Sequence, residues 1–176
     1  MVPAWHTSTT PSGTPSTPAG ILVELGGKRV YHLGDTCLFS DLQLVKRYGR
    51  IDVAFHNAGI SPPDDDSILE TGLDAWRRVQ DVNLTSVYLG CKTVLPYMLA
   101  QGKGSIVNTA SFVATMGAAT SQISYTASKG GVLAMTRELG VQFARHGVRV
   151  NALSPGPVAT PLLMELFATD PERAAR

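Results

Sequence analysis

The sequence predicts an α/β protein built on a doubly wound parallel sheet with a β-hairpin at or near its edge. Three observations carry that prediction. From residue 51 onward, short apolar runs alternate with long stretches of helical periodicity, as expected of parallel strands joined by crossover helices. Ahead of them, two β-prone runs at 21–25 and 28–33 flank Gly26-Gly27, a hairpin signature. Of residues 1–20, fourteen are Ser, Thr, Pro or Gly, too little apolar surface to order an independent unit.

In chain order, residues 1–20 form a Ser/Thr/Pro-rich arm and 21–176 a single α/β domain. Residues 40–48, SDLQLVKRY, read as a short helix with Ser40 as its cap. Residues 51–55 form a strand that ends at Asn57-Ala58-Gly59. SPPDDD at 61–66 is a loop, its Asp64-Asp65-Asp66 run a solvated or helix-capping cluster rather than a metal site. Residues 74–100 are helical through Trp76, Val79, Val82, Val87, Leu89 and Val94, and Pro96 is expected to kink or shorten the end. Residues 105–109 form a second strand. Residues 124–146 form a long helix with Val132, Met135, Leu139 and Phe143 at three- and four-residue spacings. A third strand at 148–153 is broken by Pro155-Gly156-Pro157, and 161–168 is helical. The alternation implies a parallel sheet covered on both faces.

Composition narrows the function. The 176 residues carry 15 Lys and Arg against 14 Asp and Glu, a formal net charge of +1. That balance argues against nucleic-acid and membrane partners. No apolar run reaches the ~18–20 residues of a membrane span, and MVPAWHTSTT lacks a secretory pattern. A soluble, cytoplasmic protein is expected. Two cysteines, Cys37 and Cys91, exclude a disulfide framework.

The chemistry concentrates in residues 57–160. Tyr125 and Lys129 in YTASK lie one helical turn apart on one face. An ammonium near a phenol favours the phenolate and makes Tyr125 a usable acid/base. Ser111 follows a strand end and offers a hydroxyl to a substrate carbonyl. Asn83 lies mid-helix, where a buried amide needs a partner. Asn57-Ala58-Gly59 and residues 154–160 close two further strands. In open α/β sheets ligands bind at this carboxyl edge. Read singly, each position also fits an ordinary turn, cap or kink.

Five motifs in order, HNAG, DVNL, IVNTAS, YTASK and NALSPGPVAT, resemble the short-chain dehydrogenase/reductase family over about residues 49–176. The resemblance implies a truncated Rossmann-like fold. It implies an oxidoreductase that moves a hydride between NAD or NADP and a small alcohol or carbonyl. By it, Asn83, Ser111, Tyr125 and Lys129 are catalytic. Tyr125 transfers the proton, Ser111 orients the substrate oxygen, Lys129 holds the nicotinamide ribose, and Asn83 anchors a water in a proton relay. Asn57, Ala58, Gly59, Tyr125, Lys129, Pro155, Gly156, Val158 and Thr160 line the cofactor. It also implies a homo-oligomer, dimer or tetramer, through helices 74–100 and 124–146. The family's Gly-rich cofactor turn does not occur in this sequence, and residues 161–176 stop before the family's last strand.

Residues 1–50 carry a second resemblance. AWHTS, AGILVELGGKRVYHLGDT and LFSDLQLVKRYG resemble a segment of the metallo-β-lactamase-like hydrolases, which implies a chimera with His6 and Asp35 as candidate metal ligands. A catalytic metal usually needs at least three protein ligands, so no metal is expected. Two further alternatives stand: a catalytically inactive oligomeric fragment, and a serine hydrolase using Ser154 in ALSPG, a near-miss of Gly-x-Ser-x-Gly. His32, His56 and His146 have no triad partners by spacing and read as surface or supporting residues.

Overall fold

The structure, a computed structural model, describes residues 19–32 and 49–158, together with 2–3, 8–9, 15–16 and 164. The expected helix at 40–48 and, apart from residue 164, the one at 161–168, with His6, Asp35, Cys37 and Thr160, lie outside the described residues.

The hairpin forms as expected. Strand β1 (Ala19–Leu25) pairs antiparallel with β2 (Lys28–His32). Gly26 and Gly27 both take positive φ, 54° and 69°, as a two-residue turn matched to strand twist requires. Val2–Pro3 pairs antiparallel with the start of β1, and Ser8–Thr9 with Pro15–Ser16.

Strands β3 (Val53–His56), β4 (Gly104–Thr109) and β5 (Val148–Leu153) follow. The order β1-β2-β3-β4-β5 is parallel from β2 to β5. The hairpin therefore does more than flank the sheet. Its second strand supplies the parallel neighbour of β3, with Val30 opposite Val53 and His32 opposite Phe55. Asp52, ahead of β3, ties the two together. Its carboxylate accepts from the Arg29 amide at 3.0 Å and from Arg50 Nη2 at 2.6 Å. The Arg50 guanidinium holds that carboxyl below the usual range.

Helix α1 (Leu73–Gln80) passes through a π-helical turn, Asp81–Thr85, into α2 (Ser86–Gln101). Pro96 lies inside α2 without ending it. Buried Leu95 and Met98 hold this part of the helix to the core. The Gln101 amide accepts from the Ile51 N–H at 3.1 Å and donates to the Ile51 carbonyl at 2.8 Å. Helix α3 (Ile123–Phe143) ends in a 3₁₀ turn and Gly147 at φ 75°.

Strand alternation turns Ala54, His56, Ile106, Asn108 and Val148 toward the buried side. There Val87, Cys91, Val94, Leu95, Met98 and Val132 of α2 and α3 complete the core. Val53, Phe55 and Val107 point the other way, with exposed Arg149, Asn151 and Leu153. The described helices cover one face where the sequence implied two. The strand order advances in one direction, and right-handed crossovers then place successive helices on the same side. Because β2 to β5 are parallel, the loops after β3, β4 and β5 gather at one edge. Among the described residues, no helix is long and apolar enough to cross a membrane.

Candidate active site

Asn83 occupies the π-helical turn between α1 and α2 and is fully buried. A π turn inserts a residue into the helical repeat and re-aims the side chains around it. Asn83 Oδ1 accepts from the Ile60 N–H at 2.7 Å, while Nδ2 donates to the Ile60 carbonyl at 2.9 Å and to Ser128 Oγ at 3.0 Å. Ser128 Oγ in turn donates to the Tyr125 carbonyl at 2.7 Å. One amide thus links the loop after β3 to the first turns of α3.

Lys129 reaches the edge from α3 and is 3% exposed. Its Nζ donates to the Thr109 carbonyl at 2.8 Å and stands 5.6 Å from the centre of the Tyr125 ring. Burial lowers its pKa to about 8, so it exchanges a proton close to neutrality. Thr109 Oγ1 also donates to Asn57 Oδ1 at 2.8 Å, joining the ends of β3 and β4. Gly59 faces the same amine: a Cβ there would lie 3.2 Å from Lys129 Nζ and 3.6 Å from Asn83 Oδ1. Asn57, Gly59, Asn83, Tyr125 and Lys129 therefore share one corner of the edge. An ammonium with one of three donors engaged, beside a half-buried phenol, can bind ligand oxygens and move protons.

Ser111 follows β4 and is 5% exposed. The 3₁₀ turn it opens, Phe112–Ala114, packs on α3. The Phe112 N–H donates to the Pro155 carbonyl at 3.1 Å and the Ala110 N–H to the Leu153 carbonyl at 2.8 Å, which brings the loop after β5 beside Ser111. Ala58 is buried, Pro155 half-buried, and Gly156 and Val158 are exposed. Ser154 is exposed too.

Three residues here, Thr109, Ser128 and Gln80, escaped the sequence reading. Thr109 and Ser128 lie inside IVNTAS and YTASK, where their bonds to Lys129 and Asn83 had no separate signal. Gln80 Nε2 donates to the Ser124 carbonyl at 3.0 Å. Asp65 is buried and accepts from the Ser124 and Tyr125 amides at 2.9 and 2.8 Å, so one member of the Asp run is a helix cap. Exposed Asp64 instead pairs with Arg78 at 2.6 Å.

Of the two readings of His56, surface or supporting, the structure shows the buried, supporting one. His56 is 2% exposed. Its Nδ1 bonds Asn108 Oδ1 at 2.8 Å, and Asn108 Nδ2 donates to Thr136 Oγ1 at 2.9 Å. Cys91 Sγ lies 3.5 Å from the same ring nitrogen. Burial lowers the His56 pKa to about 4 and raises the Cys91 thiol to about 12, so both are neutral at physiological pH. His32 packs on Phe55 at 5.0 Å between ring centres, and His146 is exposed. Among the described residues, no group of three or more His, Cys, Asp or Glu could hold a metal ion.

A family profile described as Enoyl-(Acyl carrier protein) reductase matches residues 42–175. The chain is 42% identical over 119 residues to 2-(R)-hydroxypropyl-CoM dehydrogenase of Xanthobacter autotrophicus, a match covering 67% of this chain and 47% of the relative. It is 37% identical over 150 residues to cyclohexanol dehydrogenase of an Acinetobacter species, covering 82% and 59%. It superposes on the structure of NAD+-bound xylitol dehydrogenase with a TM-score of 0.68 at 30% identity, covering 76% of this chain and 55% of that one. The chain belongs to the short-chain dehydrogenase/reductase family, whose oxidoreductases these relatives represent. It spans about half the length of the curated relatives it matches. The family profile begins at residue 42. The hydrolase-like reading of residues 1–50 gains no support, and neither does the chimera inferred from it.

Proposed function

We propose that the chain is an NAD(P)-dependent oxidoreductase that interconverts a small secondary alcohol and its carbonyl, with Tyr125 as the acid/base. The observation that carries this reading is Lys129 Nζ, buried at the sheet edge 5.6 Å from the Tyr125 ring centre and 2.8 Å from Thr109 O. The residues fit the ribose–nicotinamide part of a dinucleotide. Gly59 leaves open the space that a Cβ would fill in front of Lys129, and the ammonium keeps two donors for ribose hydroxyls. Asn57 joins the same edge through Thr109, and the loop after β5 lies beside Ser111. When bound, NAD(P) supplies the hydride acceptor for the alcohol carbon, or the hydride donor in the reverse direction.

The chain's own residues handle the proton. In alcohol oxidation Tyr125 takes the hydroxyl proton as the carbon gives up its hydride and the C=O bond forms, and in carbonyl reduction it returns that proton to the oxygen. The Ser111 hydroxyl donates to the same oxygen and orients it. Lys129 places its positive charge beside the Tyr125 ring. Asn83 has both amide hydrogens engaged, so its role toward a relay water falls to the remaining Oδ1 lone pair. Relatives named as dehydrogenases of secondary alcohols support the substrate class.

The test is turnover of secondary alcohols with NAD+ and NADP+ by the wild type and Tyr125→Phe. The reading expects activity that falls by about 10²–10⁴-fold in the variant, and undiminished turnover there would overturn it. Exposed Tyr88 on α2 and Val141 on α3 support the further proposal of a homo-oligomer through these helices. Sedimentation as a monomer at all concentrations contradicts it.

A further inference from the structure

We infer that Asp65 is a positioning residue: by spanning the Ser124 and Tyr125 amides, its carboxylate fixes the first turn of α3 and with it the place of the Tyr125 phenol. The inference rests on the reading of Tyr125 as the proton-transfer residue.

The first amides of a helix have no partner within it. A side chain just before the helix commonly supplies one, but Gln122, at that position of α3, makes no such bond. The acceptor comes from a loop sixty residues earlier in the chain. Asp65 Oδ1 takes the Ser124 N–H at 2.9 Å and Oδ2 the Tyr125 N–H at 2.8 Å. Both bonds are charge-assisted, and the carboxylate faces the positive end of the helix. Asp65 is 6% exposed, whereas Asp64 and Asp66 on either side are exposed.

Other groups close the clamp. The Asp66 carbonyl accepts from the Ile123 N–H at 3.0 Å, and Gln80 donates to the Ser124 carbonyl at 3.0 Å. Asn83 holds Ser128, which holds the Tyr125 carbonyl. The backbone on both sides of the phenol-bearing residue is thus fixed by side chains from the loop after β3 and from the α1–π segment. A two-point carboxylate sets both the rotation and the height of the turn, where a single hydroxyl cap would leave the rotation free. A ~1 Å displacement of a reacting group costs about 10²-fold in rate.

The experiment compares wild type, Asp65→Ala, Asp65→Asn and the control Asp64→Asn in the full chain. It reads residue-resolved amide exchange, the ¹³Cζ resonance of Tyr125 (assigned by its loss in Tyr125→Phe), and single-turnover hydride transfer per folded molecule. In Asp65→Ala we expect Ser124 and Tyr125 to exchange about tenfold faster or more, with mid-α3 amides unchanged. The Tyr125 resonance moves, and hydride transfer falls by about 10–100-fold with cofactor affinity within about twofold. Asp65→Asn keeps one acceptor oxygen and recovers part of each effect, and it carries the test if the alanine variant does not fold. A folded variant with lower thermal stability but unmoved Tyr125 resonance and hydride transfer overturns the inference. If the wild type itself transfers no hydride, the oxidoreductase reading fails, and the exchange and resonance measurements still decide whether Asp65 holds Tyr125.

Discussion

The ammonium of Lys129 donates to the carbonyl oxygen of Thr109 across 2.8 Å, so a charge carried by α3 is held at the last residue of β4. Lys129 is 3% exposed, and burial lowers its pKa to about 8. An unfolded lysine titrates near ~10.4. Between these values the unfolded chain binds more protons than the native one, so stability rises with pH across that window. We expect the wild type to gain up to about 3 kcal/mol between pH 8 and 10.4 relative to Lys129→Met. Urea unfolding at several pH values measures the difference, and parallel curves contradict it.

Gly59→Ala tests the opening in front of the amine. The added Cβ would sit 3.2 Å from Lys129 Nζ, tight enough to displace the flexible end of that side chain while leaving the backbone in place. Stability should fall by about 1–3 kcal/mol, and cofactor affinity should fall as well. Thermal melts and fluorescence titration separate the two. Equal affinity in wild type and variant removes Gly59 from the site.

His56 predicts acid sensitivity. Burial brings its pKa to about 4, below the ~6.5 of an exposed imidazole. The unfolded chain therefore gains the proton first, and His56's contribution, full above pH 6.5, is lost as pH falls toward 4. We expect a loss of about 3 kcal/mol over that range, absent from His56→Gln. Gly90→Ala should be destabilising at any pH, because its Cβ would lie 2.7 Å from His56 Nε2. Calorimetry at pH 4.5 and 7 checks both.

Asn83→Ala should cost stability as well as activity. It leaves the Ile60 N–H and carbonyl and Ser128 Oγ without the partners they now have. Unpaired buried groups cost about 1–3 kcal/mol each. A loss of about 3 kcal/mol in denaturant unfolding is expected; a variant as stable as wild type would show that water replaces the amide.

The sequence made Tyr125 and Lys129 legible because helical spacing alone puts them on one face. It made the hairpin legible through Gly26-Gly27. The strand–helix–strand pattern of residues 28–59 leading into HNAG pointed to Lys28–His32 as the neighbour of β3, although a hairpin has two edges and only the sheet selects one. Asn83 was recognisable as an amide needing a partner, but DVNL reads as plain helix, and the π turn that re-aims it arises from packing. Among three consecutive aspartates nothing local marks Asp65, whose partners lie on another element. His56 and Asn108 each sit in a recognisable motif, yet their pairing depends on the β3–β4 register that sets them opposite one another. Local patterns carried the elements; contacts between distant segments carried the rest.

The most direct measurement is a fluorescence titration of NADH and NADPH against the wild type and Lys129→Ala. The account predicts saturable binding of at least one cofactor in the ~1 μM–1 mM range, weakened about tenfold or more by the substitution. No saturable change at millimolar cofactor, or identical curves for both proteins, contradicts it.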